Sequence, residues 1–86
     1  MMKILLSSIA KNDIRLLMRV FNAEQEKKGI NFLEDLKKSI NEIIILHAGN
    51  HTSKELTVKP MGAFPVNIHY IFEDQENLLV TAVFKA

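Results

Sequence analysis

The apolar residues of this chain change period once, and that change limits the fold more than any other feature. Ala10, Ile14, Leu17 and Phe21 recur at spacings of four, three and four, with Met18 widening the stripe, as on one face of a helix. Leu33, Leu36, Ile40, Ile43, Ile44 and His47 keep helical spacing as far as Gly49. Beyond Gly49-Asn50 the period falls to two: Val66, Ile68, Tyr70 and Phe72 alternate with Asn67, His69 and Ile71. Two amphipathic helices followed by half-buried strands bury their apolar faces together when the helices lie on one face of a sheet. At 86 residues the chain has material for one modest core, and a single domain over 1–86 is expected.

The elements at the two ends complete the pattern. Met2 to Leu6 is a short apolar run closed by Ser7 and Ser8, and its brevity and Ile4 favour a strand. Ser8 suits the N-cap of the first helix, Asp13 lies early enough to favour its positive end, and Gly29 suits a left-handed stop. Asn31 with Glu34 resembles a capping box at the start of the second helix, so the helices form a hairpin turning near Gly29. Glu55, Thr57 and Lys59 alternate with Leu56 and Val58, which predicts a half-buried strand with the apolar pair inward, ending at Pro60-Met61-Gly62. Glu73 to Asn77 is a polar turn, and Leu78 to Phe84 is apolar almost throughout, as a central strand covered on both sides would be. The expected fold class is α+β, in the order β-α-α-β-β-β, with a mainly antiparallel sheet packed against a helical hairpin.

Composition narrows the function classes. A formal net charge of +1 gives no global case for nucleic acid, although Lys3, Lys11, Arg15 and Arg19 stand against Asp13 alone in the first 22 residues. No apolar run approaches the roughly 18 to 20 residues that cross a bilayer, and MMKILLSS is short for a signal peptide. A cytoplasmic protein without membrane contact is therefore expected. The absence of cysteine excludes disulfides and thiolate metal sites.

Chemistry-bearing residues are few. His69 is predicted to alternate outward from its strand, where an imidazole can move protons near neutral pH. Lys54 and Lys59 fall along or beside the preceding strand, on a face expected to be shared with His69, and together these three are the catalytic candidates, able to hold a phosphate and stabilise charge on it. The plainer reading makes His69 an outward strand residue and the lysines guards of a strand edge. His47 and His51 flank Gly49-Asn50 without a ligand set of metal-site spacing, and His47 also suits a helix C-terminus. No phosphate loop, nucleophile elbow or carboxylate pair occurs, so no metal and no cofactor is expected.

The element order and two stretches together carry a resemblance. Phe32-Leu33-Glu34-Asp35-Leu36 with Ile40 to Ile44 is similar to the "FL..L...I..I" pattern of the RelE/ParE family, the toxins of bacterial type II toxin–antitoxin systems, also called plasmid stabilisation proteins. Phe64-Pro65-Val66-Asn67-Ile68-His69-Tyr70 and then Leu79 to Phe84 resemble its "FPY.I.Y" strand and closing strand. Ala10 and Asp13 match its early "A..D". The resemblance implies a small cytoplasmic growth inhibitor, neutralised by a cognate antitoxin encoded beside it. RelE-like members cut messenger RNA on the ribosome, while ParE-like members bind and poison DNA gyrase.

The chain departs from the family pattern where RNA chemistry would be decided. Lys59 stands near the position of an arginine and lacks its two-pronged grip on phosphate, and Val66 replaces an aromatic residue. The sequence closes on Phe84-Lys85-Ala86 where the family has a histidine and then an arginine. The expectation is a ParE-like, binding-type toxin or a decayed member with weak or no ribonuclease activity. A RelE-like endoribonuclease using Lys54, Lys59 and His69, and a non-toxic assembly module that forms a homo-oligomer, stay open as alternatives.

Overall fold

A computed structural model describes residues 2–46 and 55–86. The elements follow the expected order: β1 (Lys3–Leu6), α1 (Ser8–Glu24), α2 (Lys28–Leu46), β2 (Thr57–Pro60), β3 (Val66–Phe72) and β4 (Asn77–Lys85). They form one four-stranded sheet in the order β1-β4-β3-β2. β3 pairs antiparallel with both β2 and β4, and only β1 runs parallel, beside β4. The helical hairpin covers one face, where Ala10, Leu17, Phe21, Phe32, Leu36, Ile40 and Ile43 meet Val66, Ile68, Tyr70, Phe72, Leu78, Val80 and Val83.

The alternation of β3 is as the period-two pattern requires, with Val66, Ile68, Tyr70 and Phe72 buried and Asn67, His69 and Ile71 between them half-buried. β4 is central, but it is covered on the helix side only: Leu79 and Thr81 are half-buried and Phe84 is exposed. Its register against β3 jumps between His69 and Tyr70, which pair with Ala82 and Val80, so Thr81 is an extra residue on β4. The Thr81 hydroxyl donates to the His69 carbonyl at 3.2 Å across this bulge.

The caps differ from those expected. The N-cap of α1 is Ser7, not Ser8: its backbone is extended and its Oγ accepts the Ala10 N–H at 2.9 Å. Ser7 also donates that hydroxyl to the Thr81 carbonyl at 2.7 Å, so one side chain both starts the helix and fixes it to β4. Asp13 lies beyond the first turn, and instead of serving the helix end its Oδ2 accepts the Val83 N–H at 3.0 Å. β1 pairs with β4 only from Asn77 to Val80, so Asp13 supplies an acceptor beyond the last paired residue.

Gly29 does not stop a helix. α1 ends at Glu24, the left-handed residue of the turn is Lys27 with φ 66°, and Gly29 lies in the first turn of α2. Its role is close approach: a Cβ there would stand 2.7 Å from both the Met18 carbonyl oxygen and Asn22 Oδ1. The Gly29 N–H donates to Asn22 Oδ1 at 2.8 Å, joining the two helices. With α2 starting at Lys28, Asn31 and Glu34 lie inside the helix and form no capping box at its start.

Candidate functional site

Two surfaces are candidates for function, the open face of the sheet and a groove beside β1. His69 lies on the open face, as the alternation predicts. Its ring meets the Phe84 ring edge-on, with centroids 4.9 Å apart and planes at 87°. Phe84 comes from β4, where Asn67 pairs with it, and the sequence reading assigned it no contact with His69.

Lys59 is on the other side. The β2–β3 register sets Val58 opposite His69 and Lys59 opposite the buried Ile68. Side chains of directly paired residues share a face, so Val58 accompanies His69 and Lys59 points toward the helices. There its Nζ stands 3.8 Å from Glu42 Oε2 of α2. The face expected to hold both groups therefore holds only the histidine, and the inward and outward sets of β2 are exchanged: Val58 is 48% exposed. Burying the Val58 side chain would have required a one-residue shift in register, which turns every side chain of a strand over. Lys54, His47 and His51 lie outside the described residues. Among the described residues, no group of three or more His, Asp or Glu side chains is placed to hold a metal ion.

The remaining late cation is also engaged. Lys85 Nζ lies 3.5 Å from Glu24 Oε2 and 5.6 Å from the centre of the Phe21 ring. Glu24 also accepts a hydrogen bond from Lys28 Nζ at 2.6 Å, and that bond, with the field of both lysines, holds its carboxyl below the usual 4.5. Tyr70 has its hydroxyl pushed above its usual value by burial. These contacts tie the end of β4 to the end of α1, and Ala86 N–H adds a bond to the Pro65 carbonyl at 2.7 Å.

The groove was not foreseen. Ile4 and Leu6 from β1, Ile14 from α1, and Leu33, Leu36, Lys37, Ile40 and Asn41 from α2 enclose about 350 Å³. Its wall is aliphatic and only Lys37 and Asn41 bring polar groups to it. This composition suits apolar side chains better than reaction chemistry. The signal in the sequence was the apolar stripe of each element, but Leu33 was read only as part of a helix stripe and Ile4 only as favouring a strand. Only the edge position of β1 leaves them facing open space.

No family model matches the sequence, and no curated protein matches it. In three dimensions the chain is similar to a solved structure described as the chromosomal ParDE TA system from P. aeruginosa, with a TM-score of 0.78 over 100% of this chain and 97% of that chain, at 9% identity. At that identity the likeness is one of architecture. The β-α-α-β-β-β order, the mixed four-stranded sheet and the full-length overlap together give this chain a ParE/RelE-like fold.

Proposed function

We propose that this protein is the toxin of a toxin–antitoxin pair, of the ParE-like kind that acts by binding its target. The reading rests on one observation, the end-to-end likeness in fold to a chain of a ParDE system. In it the protein is cytoplasmic, an antitoxin encoded beside it keeps it inactive, and DNA gyrase is the target to test first. No helix among the described residues is long and apolar enough to cross a membrane, which accords with this.

The placement of the charged groups favours binding over RNA cleavage. Cleavage needs a base for the 2′-hydroxyl, an acid for the leaving oxygen and charge stabilisation at phosphorus, all within reach of one phosphate. His69 and Lys59 lie on opposite faces of the sheet, and Lys59 and Lys85 face carboxylates. The basic surface is elsewhere: Lys11, Arg15 and Arg19 are exposed along α1. Successive steps of four along a helix keep these three on one side, a patch that can steer an acidic target.

The test is bacterial growth after tightly controlled induction, with and without the neighbouring gene. Arrest relieved by the neighbour, with supercoiling by purified gyrase inhibited, is the expected result. Normal growth at verified soluble expression would overturn the reading. Arrest with intact gyrase activity and codon-specific cleavage on translating ribosomes would replace it with the nuclease reading.

A further inference from the structure

We infer that the open face of the sheet, opposite the helices, is taken by a second copy of this chain, the two sheets packing face to face in a weak, reversible dimer. The register says which side chains lie there. Leu5 of β1 pairs with Leu79 of β4, and Leu79 pairs with Ile71 of β3, so all three stand side by side across the sheet. Further along, His69 pairs with Val58, and Asn67 pairs with both Phe84 and Pro60. The core lies on the other side, beneath the helices, and no layer covers this face among the described residues. Leu5, Leu79 and Ile71 are half-buried by their neighbours in the sheet, while Val58 and Phe84 stay exposed.

Charge narrows the choice of occupant. The four strands contain no carboxylate. Of their lysines, Lys59 and Lys85 pair with the buried Ile68 and Val66, so they lie on the helix side, each near a helix carboxylate. Only Lys3 lies on the open face, at the corner where it pairs with Asn77. One cation is too little to hold a phosphate backbone, and an acidic or basic partner finds no array of countercharges. A neutral apolar face is matched by another of its kind.

Size and shape favour a sheet over a helix. Strands lie about 4.8 Å apart and rise about 3.4 Å per residue, so four strands along the length of β3 offer at most roughly 19 by 24 Å, about 450 Å² in plan. A helix about 10 Å across would cover half of that width, whereas a second twisted sheet, packed nearly aligned, covers all of it. Two copies together would cover about 900 Å², the size of a transient contact and not of a permanent complex. A two-fold axis running along the strands lays β4 of one copy over β3 of the other. Leu79 then meets Ile71, and the two Lys3 residues stay at opposite edges, where they do not repel.

The inference rests on the sheet alone and stands apart from the toxin reading, since growth arrest enters neither outcome of its test. The test is sedimentation of the purified full chain over a wide range of concentration, with circular dichroism to confirm that each variant folds. The expected result is a monomer that becomes a dimer as concentration rises. Ile71→Lys places a cation at the centre of the face with no countercharge and should weaken the dimer about tenfold or more. Val58→Lys, exposed on an edge strand where lysine is well tolerated, should weaken it about threefold or more, and it decides the matter if Ile71→Lys fails to fold. Arg19→Glu, on the exposed side of α1, is the control and should leave the dimer unchanged within about twofold. A monomer at every concentration overturns the inference. So does a dimer that the folded open-face variants leave intact, or one that Arg19→Glu weakens as much as they do.

Discussion

The hairpin turn and the β1 groove, both lined by α2, are built to opposite plans. At the turn, Phe21, Phe32 and Phe64 meet tilted or edge-on with centroids 5.0 to 5.6 Å apart, and Lys28 and Lys85 lie over Phe21. Gly29 lets the helices close there without a side chain between them. Beside β1 the residues are aliphatic and enclose a groove of about 350 Å³. The apolar surface there stays open, whereas the aromatic cluster completes its own packing. The same helix thus has one closed flank and one open flank.

This contrast is open to direct attack by mutation. Phe32→Ala removes a fully buried ring from the aromatic cluster and is expected to cost about 3–5 kcal/mol, read as a lowered denaturant midpoint. Leu33→Ala, one residue along on the half-buried groove side, is expected to cost about 1 kcal/mol, since much of its surface already meets water. Equal losses would mean that the groove is as much a part of the core as the cluster.

Gly29→Ala comes next. The added methyl meets a backbone carbonyl at 2.7 Å, so the helices must part, and the expected cost is about 2 kcal/mol. Gly62→Ala is the control, because nothing lies within 4 Å of a Cβ there; it should be neutral within about 0.5 kcal/mol. Asp13→Ala leaves the Val83 N–H without its acceptor and is expected to cost about 1–2 kcal/mol. Hydrogen exchange should then quicken at Val83 and not at Ile43. A uniform quickening would place Asp13 in the global core instead of at the β4 margin.

The periods carried the architecture. The stripe of Ala10, Leu17 and Phe21 and the alternation from Val66 to Phe72 each point to one face, and each face is buried as the spacing requires. What the sequence reading could not place depended on how separate segments align. The contact between Gly29 and Met18 is set by the relative position of two helices, and glycine reads as a stop just as readily. Val58 and Lys59 differ in face by one step of register, which the alternation of a four-residue edge strand does not determine. The groove joins Ile4 and Leu6 to α2 residues 27 to 37 positions later, so no local pattern contains it. For the candidate site, His69 was placed on its face, while its partner Phe84 depends on pairing across the β4 bulge.

The smallest expected effect belongs to Glu24, and it separates packing from charge at the closed end. Lys28 and Lys85 hold its carboxyl below 4.5 in the folded protein. A carboxylate depressed by folding contributes stability above its ordinary value, and that contribution is lost as pH falls through the lower, folded value. Glu24→Gln should therefore flatten the acid limb of the stability profile below about pH 4.5 and leave the aromatic packing intact. The group is exposed, so salt should shrink the difference between the two proteins. If Glu24→Gln instead matched the loss from Phe32→Ala at neutral pH, the turn would be held by its ion pairs and not by the three rings. The division between a packed flank and an open one would then rest on charge.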